Sequence, residues 1–505
     1  MHTIILWHRR DLRLTDNTAL NAALRKTTRI IPCFILADDI LKEKDDFSPA
    51  CVQFMLESLH ALGEAYRERG IQFVVRRGRF LESILQIAKE SGASEVFYNE
   101  DYEPEARLRD RLVTDALKSI GVSATPFKDQ ILFEADAIRS AAGTPYTVFT
   151  PYKRNWLSKT PDIPSCKTEP LIFEPHSVTS HPLPTVKELV GEHRITPYTR
   201  GGEKAGQDAL SSFLEEKILR YKYDRDFPAI EGTSFLSAHL RFGTVSIREV
   251  YHRARTKYRD IHNGWAFTNY YSIHVRDAKY DENHPIWTNL TKDEADLGIE
   301  TFISELIWRD FYFQILVHFP HVATGAFKKD LNNLAWETND EYFEAWKNGQ
   351  TGFPIVDAAM RQLKSTGWMH NRLRMIVASF LTKDLLINWQ RGEKYFMQHL
   401  VDGDLAANNG GWQWSASTGT DAQPYFRIFN PTSQSEKFDP TGDFIRKFVP
   451  ELAKVKTAYI HNPYEMAMKK PLFAKDIGLE FGKDYPKPIV EHSVQREKAL
   501  RIFKK

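Results

Sequence analysis

At 505 residues the chain is too long for one compact core, so two or three domains are expected. Its 42% hydrophobic and 27% charged residues exclude general disorder, and no apolar run is long enough to cross a bilayer. The net charge of +2 neither announces a nucleic-acid-binding protein nor excludes one, because a local basic face can be balanced by acidic surface elsewhere.

Ile4-Ile5-Leu6-Trp7 is followed at once by His8-Arg9-Arg10-Asp11, so it reads as a first strand; a secretory signal would place its charges before a longer apolar segment. Short apolar runs occupy Thr3–Trp7, Arg29–Leu36, Ile71–Val75 and Glu95–Tyr98, each too short for a typical helix. Helical patterns lie between them at Pro49–Arg69, ending at Gly70, and at Arg79–Glu90, ending near Gly92. A third begins near Glu103-Pro104, where proline suits a first turn. This alternation predicts an α/β domain over residues 1–130 with a doubly wound parallel sheet. Such a sheet favours ligands at the carboxyl ends of its strands without choosing one. The GxGxxG and GxxxxGK[ST] loops are missing from this region, which argues against an ordinary dinucleotide dehydrogenase or P-loop enzyme. Cys33, Cys51 and Cys166 fit no metal or redox spacing and suit a reducing cytosol.

Prolines at 145, 151, 161, 164, 170, 175, 182, 184 and 197 break any long helix, so residues 131–205 are expected to form an extended interdomain linker. From Gly206 helical spacing dominates and most of the tryptophans occur, which predicts an all-helical domain over 206–505.

Within that domain Thr233 and Ser234 precede an apolar helical pattern; they either cap a helix or, with Ser237, border a phosphate site at its amino end. Asn371, Arg374 and Met375 share one helix face, as do Glu305 and Trp308. Asp402 and Asp404 occupy a Gly-punctuated loop shortly before Asn408. Taken alone, an arginine and an aspartate could simply brace two helices, and scattered tryptophans are ordinarily core.

Six segments in one order change that weighting: WHRRDLRLTDNTAL (Trp7–Leu20), VFTPYKRNW (Val148–Trp156), TSFLSAHLRFG (Thr233–Gly243), ELIWRDFY (Glu305–Tyr312), and the long stretches Gly352–Lys383 and Asp402–Pro431. Together they resemble the photolyase/cryptochrome family, and most of all its class I cyclobutane pyrimidine dimer photolyases. The resemblance implies an N-terminal antenna domain and a C-terminal helical domain that binds folded FAD, active as FADH⁻. It implies that Tyr221, Thr233, Ser234, Leu236 and Ser237 surround the flavin phosphates. Arg374 and Asp402 are expected as an ion pair beside the isoalloxazine, with Asp404 at the ring and Asn408 at N5. A neutral amide at N5 favours the reduced states over the oxidised one. Trp308 and Trp414 are expected to wall a cavity for the flipped dimer, with Glu305 and Asn371 supplying polar contacts and Met375 a polarizable surface. Trp308 and Asn371 would also border the cofactor. Trp412, Trp389 and Trp336 correspond to the family's electron relay. Arg225 and Arg372 match positions at DNA phosphates, with Lys364 a further contact.

Within the family, (6-4) photolyases carry histidines where this chain has Asn371 and Met375, and plant cryptochromes carry aspartate in place of Asn408 and a long tail; this chain ends soon after Tyr485–His492. The expected activity is therefore light-driven splitting of cyclobutane pyrimidine dimers in double- or single-stranded DNA, without a metal. The alternatives are a (6-4) photolyase, a cryptochrome-like light sensor without repair activity, or an electron-transfer flavoprotein that ignores DNA. A second antenna chromophore is expected, methenyltetrahydrofolate, 8-hydroxy-deazaflavin or flavin, with an empty antenna site as the alternative. Glu105-Ala106 replaces the Asn-Glu pair of folate-binding members, which argues against the folate. Thr256–Thr301, with Trp265, Tyr270 and Tyr271, is longer than the family's usual connection. The protein is expected to be a cytoplasmic monomer, associated with the nucleoid through DNA if the cell is prokaryotic.

Overall fold

The computed structural model describes residues 2–37, 48–160, 163–164, 166–192, 195–262, 291–476 and 478–504. Five strands form one parallel sheet: β1 (Ile4–His8), β2 (Ile30–Leu36), β3 (Val74–Arg77), β4 (Glu95–Asn99) and β5 (Ser123–Phe127), in the order β3-β2-β1-β4-β5. β1 and β2 are apolar along nearly their whole length because the sheet is covered on both faces. Ile4 and Leu6 enter a core with Phe54 and Leu59 of the Pro49–Arg67 helix. Ile5 and Trp7 enter the opposite core, with Ile84 and Ile87 of the Phe80–Ser91 helix and Val113 and Leu117 of the Pro104–Ser119 helix. Local chemistry sets the helix ends. The Ser48 hydroxyl accepts hydrogen bonds from the Ala50 and Cys51 amides at one start, and Gly92 ends the second helix in a left-handed conformation, φ 61°.

β5 was not expected. It is an edge strand, so it needs no continuous apolar run and tolerates Pro126 in its ladder.

The expectation of a wholly extended 131–205 segment is corrected. A helix spans Phe149–Ser158, with Pro151 in its first turn, where no intrahelical donor is lost. Phe149, Tyr152 and Trp156 pack into the same core as Ile299 and Phe302 of the 27-residue Lys292–His318 helix. Residues 166–184 do run extended along the α/β domain, pinned by Glu174 N–H to Thr28 O (2.9 Å) and His181 N–H to Val75 O (2.8 Å), but a short helix follows at Val186–Val190 and the Glu203–Ser212 helix begins inside the expected linker.

The β1 carboxyl end clasps the helical domain. Arg13 bonds both oxygens of Asp129 at 2.8 Å, and Arg248 reaches Asp16 and Asp129 at 2.9 Å each. All four are buried, so each charge requires its partner. Leu12 N–H bonds Phe242 O, and the next residue is Gly243 at φ 62°; a Cβ there would sit 2.1 Å from Arg10 O. Only glycine permits that approach. Among the described residues no helix is long and apolar enough to cross a membrane, and no cluster of His, Cys, Asp and Glu could hold a metal ion. Of the 256–301 connection, the described ends are the Ile247–His262 helix and the start of Lys292–His318; Trp265, Tyr270 and Tyr271 lie outside the described residues.

Candidate functional site

The site begins with Trp308, half-buried on the Lys292–His318 helix and laid flat on Phe149 at 3.6 Å between ring centroids and 7° between planes. Phe149 is fixed in turn, its amide donating to Asp421 (3.0 Å). The indole is therefore a preorganised aromatic platform. One turn earlier, Glu305 accepts a 2.6 Å hydrogen bond from Arg225, the residue that ends the Ile218–Asp224 helix. Arg372 pairs with Asp226 at 2.8 Å, and the same carboxylate lies 3.9 Å from Arg225. Two arginines expected at DNA phosphates thus sit together, each neutralised by a carboxylate. Arg372 lies 4.2 Å above the Phe438 ring, and its Nε is buried without a hydrogen-bond partner. An unsatisfied charged donor of this kind invites an anionic acceptor. Lys364 stands apart: it is exposed and bonds Asn348 (2.9 Å).

The Asn371–Ser379 helix is started by buried His370, whose Nδ1 accepts the Arg372 amide. Burial pushes that imidazole down to about 3, so it stays neutral. Asn371 is exposed and its amide lies 4.0 Å from the Met375 sulfur. Arg374 grips Asp402 at 2.8 and 3.0 Å, joining the two expected partners across 28 residues.

Asp404 caps the Leu405–Ala416 helix through the Ala407 amide, and its other oxygen is engaged by Arg10 from the α/β domain. Burial opposes its charge, but Arg10 and Arg241 hold the carboxyl below its usual range. Asn408 donates to Glu393 O at 3.1 Å, which orients the amide and leaves its carbonyl oxygen for an N–H partner. Neighbouring Asn409 donates to the Glu393 carboxyl at 2.8 Å, and burial pushes that carboxyl up to about 7. Glu393 carries no motif, and its place beside Asn408 was not legible in the sequence.

Thr233 and Ser234 do not cap a helix. The short Ser237–Phe242 helix starts after Leu236 without a side-chain cap, because Phe235 turns left-handed at φ 53°. The Ser234 hydroxyl accepts from Leu236 N–H, while the Thr233 hydroxyl is buried without a partner. Tyr221 and Leu236 are buried nearby and Ser237 is exposed. Gly232 packs so tightly on Asp224 that a Cβ would lie 2.5 Å away, which brings this turn to the end of the Tyr221 helix. Phe235 also meets Trp368 at 5.1 Å, three residues before Asn371. These groups fit a phosphate-bearing flavin. The orphaned Thr233 hydroxyl is a free donor, Asn408 offers an acceptor, and the Arg374–Asp402 pair is at hand.

The tryptophans divide. Trp412 is buried, its indole N–H without a partner, and it fits against Gly392, where a Cβ would lie 2.2 Å from the ring. Its ring neighbours are Phe396 (4.9 Å) and Trp346 (6.1 Å). Trp346 is a tryptophan the sequence did not single out. Trp389 is buried; Trp336 is half-buried and meets Phe503 of the C-terminal helix at 6.0 Å. Among the described ring pairs, none joins Trp412 to Trp389 or Trp389 to Trp336. Trp414 is half-buried, two residues and so nearly half a turn round from Trp412, and is not in ring contact with Trp308.

A cavity of about 510 Å³ lies at the carboxyl ends of β1 and β2, next to the point where the strand order reverses. Trp7, Phe80, Leu112 and Phe242 supply apolar wall, while Arg9, Arg10, Arg109 and Arg241 supply positive charge. Glu105 and Ala106 line it too. Trp7 Nε1 and Arg9 Nε are buried without acceptors, which fits a planar aromatic ligand carrying oxygens or ring nitrogens.

A family model described as DNA photolyase matches residues 4–170, and one described as the FAD binding domain of DNA photolyase matches residues 302–505. The deoxyribodipyrimidine photo-lyase of Halobacterium salinarum is 39% identical over 513 residues, covering 99% of this chain and 98% of that one. Among solved structures, a bacterial class III photolyase from Agrobacterium tumefaciens superposes with a TM-score of 0.85 at 34% identity, over 100% of this chain and 97% of that one. An archaeal photolyase from Sulfolobus tokodaii, solved with two FAD molecules, gives a TM-score of 0.78 at 32% identity, over 99% of each chain. Matched in both its halves and along its whole length, the chain belongs to the DNA photolyase family.

Proposed function

We propose that the protein repairs DNA by splitting cyclobutane pyrimidine dimers under blue light. The observation that carries this reading is the rim around Trp308. There a flat aromatic platform stands beside Glu305, with Arg225 and Arg372 next to it. Reduced FAD, when bound, supplies the electron that opens the cyclobutane and takes it back, so the reaction has no net redox change. The chain's own residues do the rest. Tyr221, Thr233, Ser234, Leu236 and Ser237 hold the phosphates, with the unpartnered Thr233 hydroxyl free to donate. Arg374, Asp402, Asp404 and Asn408 would orient the ring, the Asn408 carbonyl oxygen offering it an acceptor. Trp308 and Trp414 hold the flipped bases, Glu305 and Asn371 bond their edges, Met375 packs against them, and Arg225 and Arg372 take flanking phosphates. Trp412, Trp389 and Trp336 carry electrons inward when the cofactor must be reduced by light. The α/β cavity takes a planar antenna chromophore of the flavin or deazaflavin kind. Its arginine-rich walls and Glu105-Ala106 suit that class better than the folate. The protein works as a cytoplasmic monomer, with an α/β domain over 1–130, an interdomain segment over 131–202 and a helical domain that opens with the Glu203–Ser212 helix.

The test is illumination of purified protein with oligonucleotides carrying one defined lesion. Restoration of pyrimidines from the cyclobutane dimer but not from the (6-4) photoproduct supports the proposal. The reverse selectivity assigns a (6-4) photolyase. Flavin photochemistry without repair of either lesion assigns a light sensor.

A further inference from the structure

One guanidinium joins the α/β cavity to the loop that carries Asp402 and Asp404. Arg10, 7% exposed, lines the α/β cavity, where its Nη1 bonds Asp101 (3.3 Å) and Glu103 (3.1 Å), two carboxylates of the same wall. Its Nη2 bonds Asp404, the cap of the helix that carries Asn408, Trp412 and Trp414. Its Nε is anchored on Arg241 O at 3.0 Å. Arg241 repeats the link: it lines the cavity, lies 4.0 Å from Glu103, and donates to Gly403 O at 2.7 Å. The loop 402–404 is thus held from the α/β side by two arginines that also contact the cavity wall.

We propose that Arg10, seconded by Arg241, is a positioning residue that couples the α/β cavity to the flavin site, so that negative charge in the cavity weakens the binding of FAD. The coupling rests on the reading of the 402–412 region as the flavin site. The physical basis is competition for a single cation. Arg10 faces three carboxylates, half-buried Glu103 and buried Asp101 on the cavity side and buried Asp404 at the head of the flavin-site helix. Potentials add, so negative charge in the cavity offsets part of the guanidinium's positive potential at Asp404, in an interior where charges are poorly screened. An anionic occupant leaves Asp404 less compensated; loss of a cavity carboxylate leaves it more so. An uncompensated Asp404 repels the anionic ring of reduced flavin, so affinity for FAD follows. Linkage makes the effect reciprocal: FAD weakens an anionic occupant by the same factor. Lysine cannot replace Arg10, since an ammonium lacks the rigid fork that serves both walls at once.

The test is a double-mutant cycle on the full-length protein, which requires no knowledge of the cavity's natural occupant. FAD dissociation constants are measured for reduced and oxidised cofactor in the parent, Glu103→Gln, Arg10→Lys and the double variant. Glu103→Gln is expected to tighten reduced FAD about fivefold in the parent, and by less than about twofold in the Arg10→Lys background. Equal shifts in both backgrounds, or none in the parent, overturn the coupling. Arg241→Lys supplies a second background should Arg10→Lys fail to fold, with the same two outcomes. A parent that binds no FAD refutes the flavin reading itself, whereas a parent that binds FAD with additive variants refutes only the coupling.

Discussion

Asp226→Asn should tighten DNA binding, although it removes an ion pair from the proposed interface. Arg372 now donates to Asp226 at 2.8 Å, and Arg225 lies 3.9 Å from the same carboxylate. A DNA phosphate must displace that partner. The pair is partly exposed, with 17% and 32% of the side chains accessible, and such a pair is worth about 0.2–1 kcal/mol. A phosphate about 5 Å from Asp226 is also repelled by roughly 0.8 kcal/mol at the dielectric of water. Both costs vanish in Asp226→Asn, about 1–2 kcal/mol together, or about five- to thirtyfold in affinity at low salt. Fluorescence anisotropy on damaged and undamaged duplex across a salt series reads the change. The slope of log K against log salt should steepen by up to about 0.9, the release of one more counterion, and Arg372→Ala should lower it by the same amount. If Asp226→Asn binds equally or more weakly with an unchanged slope, Arg372 lies outside the DNA footprint.

Trp412→Phe should abolish reduction of the flavin by light and external reductant, yet leave repair by chemically pre-reduced protein nearly intact. Loss of repair with FAD and DNA affinity retained would put Trp412 in catalysis itself. Lys383 is buried with its ammonium on Ser417 (3.0 Å) and over the Phe503 ring, and burial pushes its pKa down to about 7. The unfolded chain keeps that proton to about pH 10.4, so stability contributed here rises with pH from 7 to 10; Lys383→Met should remove the slope and stabilise by about 2–4 kcal/mol at pH 7, read by thermal melts. Glu393 has the opposite sign: its carboxyl, pushed up to about 7, holds a proton that the unfolded chain releases near 4.3. Stability therefore falls as pH rises from about 4.5 to 7, by up to about 3 kcal/mol, and Glu393→Gln should flatten that fall. An unchanged pH profile would mean that Glu393 is already ionised in the fold.

The strands of the α/β domain were legible because a sheet buried on both faces demands continuous apolar runs, as in Ile4–His8 and Ile30–Leu36. Helix ends were legible too, since Pro49 suits a first turn and Gly92 a left-handed end whatever the rest of the chain does. β5 escaped because an edge strand needs no such pattern, and the Phe149–Ser158 helix because prolines on either side of its start masked three core aromatics at helical spacing. Among candidate site residues, pairs on one helix, Glu305 with Trp308 and Asn371 with Met375, followed from periodicity, and Arg374 with Asp402 from the family resemblance. The partnerships that shape the site did not. Trp308 lies on Phe149, 159 positions earlier; Arg225 pairs with Glu305, 80 positions later; Arg10 reaches Asp404 across 394 residues. No local pattern encodes such pairs, because a side chain's periodicity records only which way it faces. The sequence alone determined that two chemically distinct halves would form, and which residues could face a flavin and DNA. The tertiary structure decided which buried charge neutralises which, because that is settled only when separate elements close on one another and exclude water.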